Sequence, residues 1–186
     1  MSQIKVDSIV PRGGLPSYSG SAGQGGGVLQ VVSSTITGFQ SGSNNSDSSE
    51  NTVDLTGFSA TITPCSTSSK ILLLTTVSQS STNWSFCVHV YRGSTIIAKG
   101  DALDGNRSEF TFLVPNSKDY NDATCCTTFQ ILDAPSSTSA LSYKLKGCTR
   151  GSNSTWHINR SARYNSYNSA WIQSAVSTFT LMEISG

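Results

Sequence analysis

Charge is what this chain most plainly lacks. Asp, Glu, Lys and Arg make up only 12% of its 186 residues, 12 basic against 11 acidic, about half the usual share. Without a basic stripe the surface has no electrostatic means of holding nucleic acid or an anionic membrane. No apolar run approaches the roughly eighteen residues of a membrane span, so no membrane insertion is expected. The opening Met1-Ser-Gln-Ile-Lys-Val-Asp7 has no apolar core of an export signal, and the expectation is assembly in a cytoplasm. Helical periodicity is missing too, and Ser, Thr, Asn and Gly take the place of charge.

The usual carriers of chemistry are equally scarce. There are two histidines, His89 and His157, neither with a second His or a Cys at metal-ligand spacing. No Gly-x-Ser-x-Gly, Gly-x-Gly-x-x-Gly or Gly-Lys-Ser/Thr pattern occurs. Asp101 and Asp104 fall short of the ligand array of a calcium loop. No catalytic residue, metal or cofactor is expected. The five cysteines, Cys65, Cys87, Cys125, Cys126 and Cys148, are odd in number and include no Cys-x-x-Cys. They read as free, mostly buried thiols, with a Cys65–Cys148 bridge as the open alternative.

Alternating apolar residues are what the chain does have. Thr127–Gly147 reads as strand, loop, strand. Phe129 and Ile131 share one face, Ala134-Pro135 breaks the run, and Leu141, Tyr143 and Leu145 then alternate with Ser142, Lys144 and Lys146. The pattern predicts a hairpin with one buried face. Further strands are expected at Val28–Thr37, Thr52–Thr63 with a break at Gly57, and Lys70–Gln79, the last central and buried on both faces. Trp84–Tyr91 and Ile96–Lys99 flank a tight turn. Glu109–Val114, Thr155–Arg160 and Trp171–Ile184 complete about ten strands. Gly38–Glu50 reads as a polar loop. Short strands at this spacing predict an all-β fold, an antiparallel β-sandwich or jelly roll. Residues 28–186 form that head.

Residues 1–27 read as an extended N-terminal arm: a β-prone segment carrying Ile4, Val6 and Ile9, then a Gly/Ser-rich linker. The segment is either a frayed terminus or a peptide that adds a strand to another protein. Tyr164, Tyr167 and Trp171 lie in or beside a polar loop rich in asparagine. They suit either packing under the loop and across a subunit seam, or contact with a sugar or protein receptor.

Several stretches, in order along the chain, resemble small fibre-like virion proteins of tailed bacteriophages of the marine and cyanobacterial type. They include Ile4-Lys-Val-Asp-Ser-Ile9, Gly25-Gly-Gly-Val-Leu-Gln-Val-Val32, Ala60-Thr-Ile-Thr-Pro64 and Ser68-Ser-Lys-Ile-Leu72. Tyr91-Arg-Gly-Ser-Thr95, Leu132-Asp-Ala-Pro135, Ile158-Asn-Arg-Ser161 and Ser177-Thr-Phe-Thr-Leu-Met-Glu-Ile184 follow. The resemblance implies a homotrimeric jelly-roll head whose arm attaches to other phage virion proteins at capsid, collar or tail. It implies a virion location, contact with a host surface glycan or protein, and no enzyme. A capsid decoration protein and a carbohydrate-binding module are the rival readings. A polysaccharide-cleaving enzyme would need paired carboxylates.

Overall fold

The computed structural model describes residues 27–44, 51–83, 85–101, 109–114, 124–150, 153–162 and 173–186. Among them are eleven strands and no α-helix: β1 (Val28–Ile36), β2 (Gln40–Gly42), β3 (Val53–Ile62), β4 (Lys70–Ser81), β5 (Phe86–Arg92), β6 (Thr95–Ile97), β7 (Phe112–Val114), β8 (Cys125–Asp133), β9 (Leu141–Thr149), β10 (Trp156–Ile158) and β11 (Ser177–Ile184).

All pairings are antiparallel, in two sheets. In the first, β11 lies between β1 and β4, and β8 takes the other edge of β4. The twelve-residue β4 also pairs with β10, which carries β2. Gln79 of β4 faces Cys125 of β8 and Ile158 of β10, so β10 lies on the β11 side. In the second sheet β9 lies between β3 and β5, and the far edge of β5 is shared by β7 and β6. Counting β1, β3, β4, β5, β7, β8, β9 and β11 as the principal strands, one sheet runs first, eighth, third, sixth. The other runs second, seventh, fourth, fifth. That winding is a jelly roll, as the alternation predicted.

The core lies between the sheets. Ile71, Leu73 and Val77 of β4, Phe179 and Leu181 of β11, Phe58 and Ile62 of β3, Phe86, Val88 and Val90 of β5, and Tyr143 and Leu145 of β9 are all buried. Each strand contributes alternate residues, because successive side chains leave a strand on opposite faces. The Gly57 break is a bulge: the β3–β9 register shifts between Asp54 and Ser59, and Gly57 has φ +84°. A side chain there would be strained and would press on Ile36, so the bend needs glycine.

Three expectations need correction. Thr127–Gly147 is not a hairpin: β8 belongs to the first sheet, beside β4, and β9 to the second, between β3 and β5. The loop with Pro135 and positive-φ Ser136 (φ 51°) crosses from one sheet to the other. A hairpin and a sheet-crossing connection leave the same one-face alternation, since both strands face one core. Next, β4 is central, but only its far end, Ser78 to Ser81, is buried on both faces; before that the inner face is buried while Leu72, Leu74 and Thr76 on the outer face are half-buried. Lastly, the loop after Gly38 contains β2, held by three residues of β10.

Candidate functional site

The sequence-derived candidates Ile4, Val6, Ile9, Tyr164, Tyr167 and Trp171 lie outside the described residues, as do Asp104 and Trp84.

Both histidines are buried on strands. His89 on β5 points away from the core, under a second apolar cluster of Cys87, Phe110 and Cys148. Its ring lies 4.9 Å from that of Phe110, and among the described residues neither ring nitrogen has a hydrogen-bond partner. Burial, helped by the Lys99 ammonium, lowers its pKa to about 4. His157 on β10 faces Arg160, with Nδ1 3.1 Å from the guanidinium. Burial, then that charge, lowers its pKa to about 4 as well. Both imidazoles are therefore neutral at pH 7. Among the described residues no group of three or more His, Cys, Asp or Glu is placed to hold a metal ion.

Two carboxylates do share one row of the first sheet. Glu183 of β11 and Asp133 of β8 flank Ile71 of β4. The Asp133 oxygens accept from Arg92 Nη1 at 2.8 and 2.7 Å and from the Tyr143 hydroxyl at 2.6 Å. This cluster ties the end of β8 to β5 and β9, and so joins the two sheets. Burial, then the Asp133 carboxylate, pushes the Tyr143 phenol well up. The Glu183 oxygens accept from Gln30 Nε2 at 2.6 Å and from the Cys65 backbone N–H at 2.7 Å. Burial alone would raise the Glu183 carboxyl, but these donors outweigh it and hold the group below its ordinary value. A general acid needs the opposite shift. Both carboxylates close one end of the sandwich and are already engaged there.

The cysteines divide by place. Cys87 and Cys148 are buried directly opposite each other on β5 and β9. The neighbouring thiol, then burial, raises the Cys87 thiol far above its usual value, so it is a poor nucleophile. Cys65 and Cys126 are exposed and Cys125 is half-buried; all five are free. Thus two of the five are fully buried, fewer than expected, and Cys148 faces Cys87 rather than Cys65.

Two adjoining grooves run along the edge formed by β1, β2 and β3, with Gln40 and Thr56 common to both. One, of about 470 Å³, is lined by Gln40, Gly42, Asn44, Asp54, Thr56 and Trp156, among others. The other, about 450 Å³, includes Thr35, Thr37 and the exposed Phe39. The amides here are committed to the frame. Gln40 accepts from the Thr56 N–H at 2.8 Å and donates to the Thr56 carbonyl at 2.7 Å, like an extra strand residue. Asn44 donates to the Asn51 and Gly147 carbonyls and accepts from the Trp156 indole at 2.6 Å. Trp156 is 4% exposed. Asp54 is paired with Lys144 at 3.1 Å and Lys146 at 3.5 Å. These lysines offset the effect of burial and hold its carboxyl below its ordinary value. Among the described residues Asp54 is the one carboxylate in either groove lining, so they form a polar groove without an acid–base pair.

The feature that strand-by-strand reading missed is on the outer face of the first sheet. Val31, Met182, Leu72 and Leu132 lie opposite one another in a single row across β1, β11, β4 and β8. Val31 and Leu132 are 53% and 56% exposed. The alternation of Thr178, Thr180, Met182 and Ile184 pointed to one apolar end of that face. The row itself depends on registers between strands far apart in the chain.

No family model matches the chain, and no curated protein does. Two similar solved structures are described as the structure of infectious bursal disease virus, Gx strain, and the infectious bursal disease virus VP2 subviral particle. Their identities are 14% and 12%, with TM-scores of 0.37 for both. The alignments cover 97% of this chain but only 46% and 45% of those proteins, so the chain spans less than half their length.

Proposed function

We propose that this chain is a non-enzymatic structural protein of a bacteriophage virion. In this reading the jelly roll is a homotrimeric head, residues 1–27 fasten it to other virion proteins, and the head contributes to attachment to the host cell. The observation that supports it best is how the polar side chains at the strand junctions are used. Buried Glu183 and Asn159 and half-buried Asp133 and Gln40 all join strands, and both histidines are buried with lowered pKa values. Polar groups engaged in this way suit a rigid, exposed building block. The neutral Ser/Thr surface and the ordered resemblance to fibre-like virion proteins agree with it. Gly27, the first described residue, is held at the end of β11, where its carbonyl accepts from the Ser185 N–H at 2.8 Å.

Attachment is tested by adding purified chain to host cells before phage. Reduced adsorption is expected. Unchanged adsorption, with antibody against the head still labelling intact particles, would favour a decoration role instead. Turnover of a host polysaccharide by the purified protein would contradict the non-enzymatic reading.

A further inference from the structure

We infer that copies of this chain meet through the outer face of the β1–β11–β4–β8 sheet. The inference rests on the oligomeric part of the proposed function and supplies the surface for it.

The row Val31–Met182–Leu72–Leu132 crosses four strands in register. At its β1–β11 end Val28 and Ile184 extend it, with Val28 49% exposed. Isolated exposed apolar residues are ordinary, but a contiguous band across a whole sheet is not. The rest of the face is uncharged apart from Lys70, mostly hydroxyl-bearing with Leu74, Gln130 and Cys126 among it, and four of its hydroxyls bond sideways. Ser33 Oγ lies 2.7 Å from Thr180 Oγ1, and Thr76 Oγ1 lies 2.8 Å from Thr128 Oγ1. Such groups can be covered without being orphaned, because each already has a partner.

The occupant follows from charge. Across these four strands the outward positions carry a single charge, Lys70 at the margin. A copy of the same face therefore meets it with almost no like charge apposed, while a charged partner would find nothing to pair with. The outer face of the other sheet contrasts: it carries Asp54, Lys144 and Lys146, and its Cys87, His89 and Cys148 are already covered.

Size sets how the copies assemble. Four strands at about 4.8 Å spacing, each with seven or eight residues rising about 3.3 Å, make a face of about 500 Å². Three copies turning it toward a common axis remove about 1,500 Å² from water in all, about 500 Å² at each of three seams, so one seam alone is small and only the closed trimer buries a standard area. The edge strand β8 points the same way. Its register with β4 is unbroken from Asp133 to Cys125, and it has no proline or lysine. It thus lacks two of the side chains that keep a free edge single.

The test is the solution mass of the full chain by light scattering and sedimentation, compared with Val31→Lys combined with Leu132→Lys. Both side chains are more than half exposed in the single chain, so the far-UV spectrum should be unchanged. The wild type is expected to be a trimer, and the double variant a monomer, its association weakened on the order of a hundredfold or more. Should the lysine variant fold poorly, Val31→Thr with Leu132→Thr keeps strand propensity and neutrality. It should weaken association about tenfold by removing apolar burial. An oligomer with unchanged mass and dissociation constant in a folded variant would overturn this face and leave the oligomeric reading standing. A wild-type chain that is monomeric at every concentration would overturn both.

Discussion

Phe86 of β5 lies across Gly147 of β9, so close that a methyl group added to Gly147 would stand 2.6 Å from the ring's Cζ. Phe86 is fully buried, and its other neighbours include Trp156, with ring centroids 5.6 Å apart. The ring has nowhere to go. Gly147→Ala should therefore destabilise the sandwich by about 1–3 kcal/mol, the usual effect of overpacking a core. Urea unfolding at neutral pH measures it; a loss within error of zero would show that the β5–β9 seam can open.

Asn159 is a buried junction between β10 and its neighbours. Its side-chain nitrogen donates to the Ile36 carbonyl at 2.7 Å and the Gly38 carbonyl at 3.1 Å, and its oxygen accepts from Ser177 Oγ at 2.6 Å. Its φ is +62°, a conformation asparagine tolerates better than most residues. Asn159→Ala removes three hydrogen bonds, two of them to the buried Ile36 and Ser177. About 2–4 kcal/mol of stability should go, from stranded polar groups and the strained backbone. Asn159→Asp should also destabilise, because aspartate cannot donate to the two carbonyls. Equal stability of all three proteins would contradict the junction role.

The histidines set the sign of the pH response. Folded His89 and His157 have pKa values lowered to about 4 from an ordinary 6.5. Between those values the unfolded chain binds more protons, so stability is complete above about pH 6.5 and declines as pH falls toward 4. Each ring should account for on the order of 2–3 kcal/mol across that window. Glu183, held below its ordinary value, loses its contribution only at lower pH, as it becomes protonated. Denaturant midpoints at pH 7.5, 6 and 4.5 test this. His157→Gln should flatten the slope above pH 4.5, and a slope identical to wild type would refute the assignment.

Legibility in the sequence followed distance along the chain. The inward sides of β5, β8 and β9 could be read from period-two alternation in Phe86, Val88 and Val90, in Phe129 and Ile131, and in Tyr143 and Leu145. The tight turn at Gly93-Ser94 and the bulge at Gly57 were also legible, since both depend on local backbone chemistry. Partner choice was not. Whether Phe129 pairs with a strand fourteen residues later or with Thr75 depends on the closed sandwich. The outward burial of Cys87 and His89 depends on Phe110 folding back over them, which no alternation encodes. The same holds for the outer row: Val31 and Leu132 share a face because two strands lie between them. The arm and aromatic-loop candidates lie outside the described residues.

The measurement that bears most directly on the proposed role is the copy number of this protein on purified phage particles, for the full chain and for a chain lacking residues 1–11. The deletion leaves β1 and every later strand intact, so the head should fold and keep its spectrum. Ile4, Val6 and Ile9 are the anchoring side chains it removes, and ordering a short strand needs a partner that supplies hydrogen bonds and apolar cover. Normal copy number is expected for the full chain and none for the truncated one. Truncated protein on particles at normal copy number would contradict attachment through the arm, and absence of the full chain from particles would contradict the virion role itself.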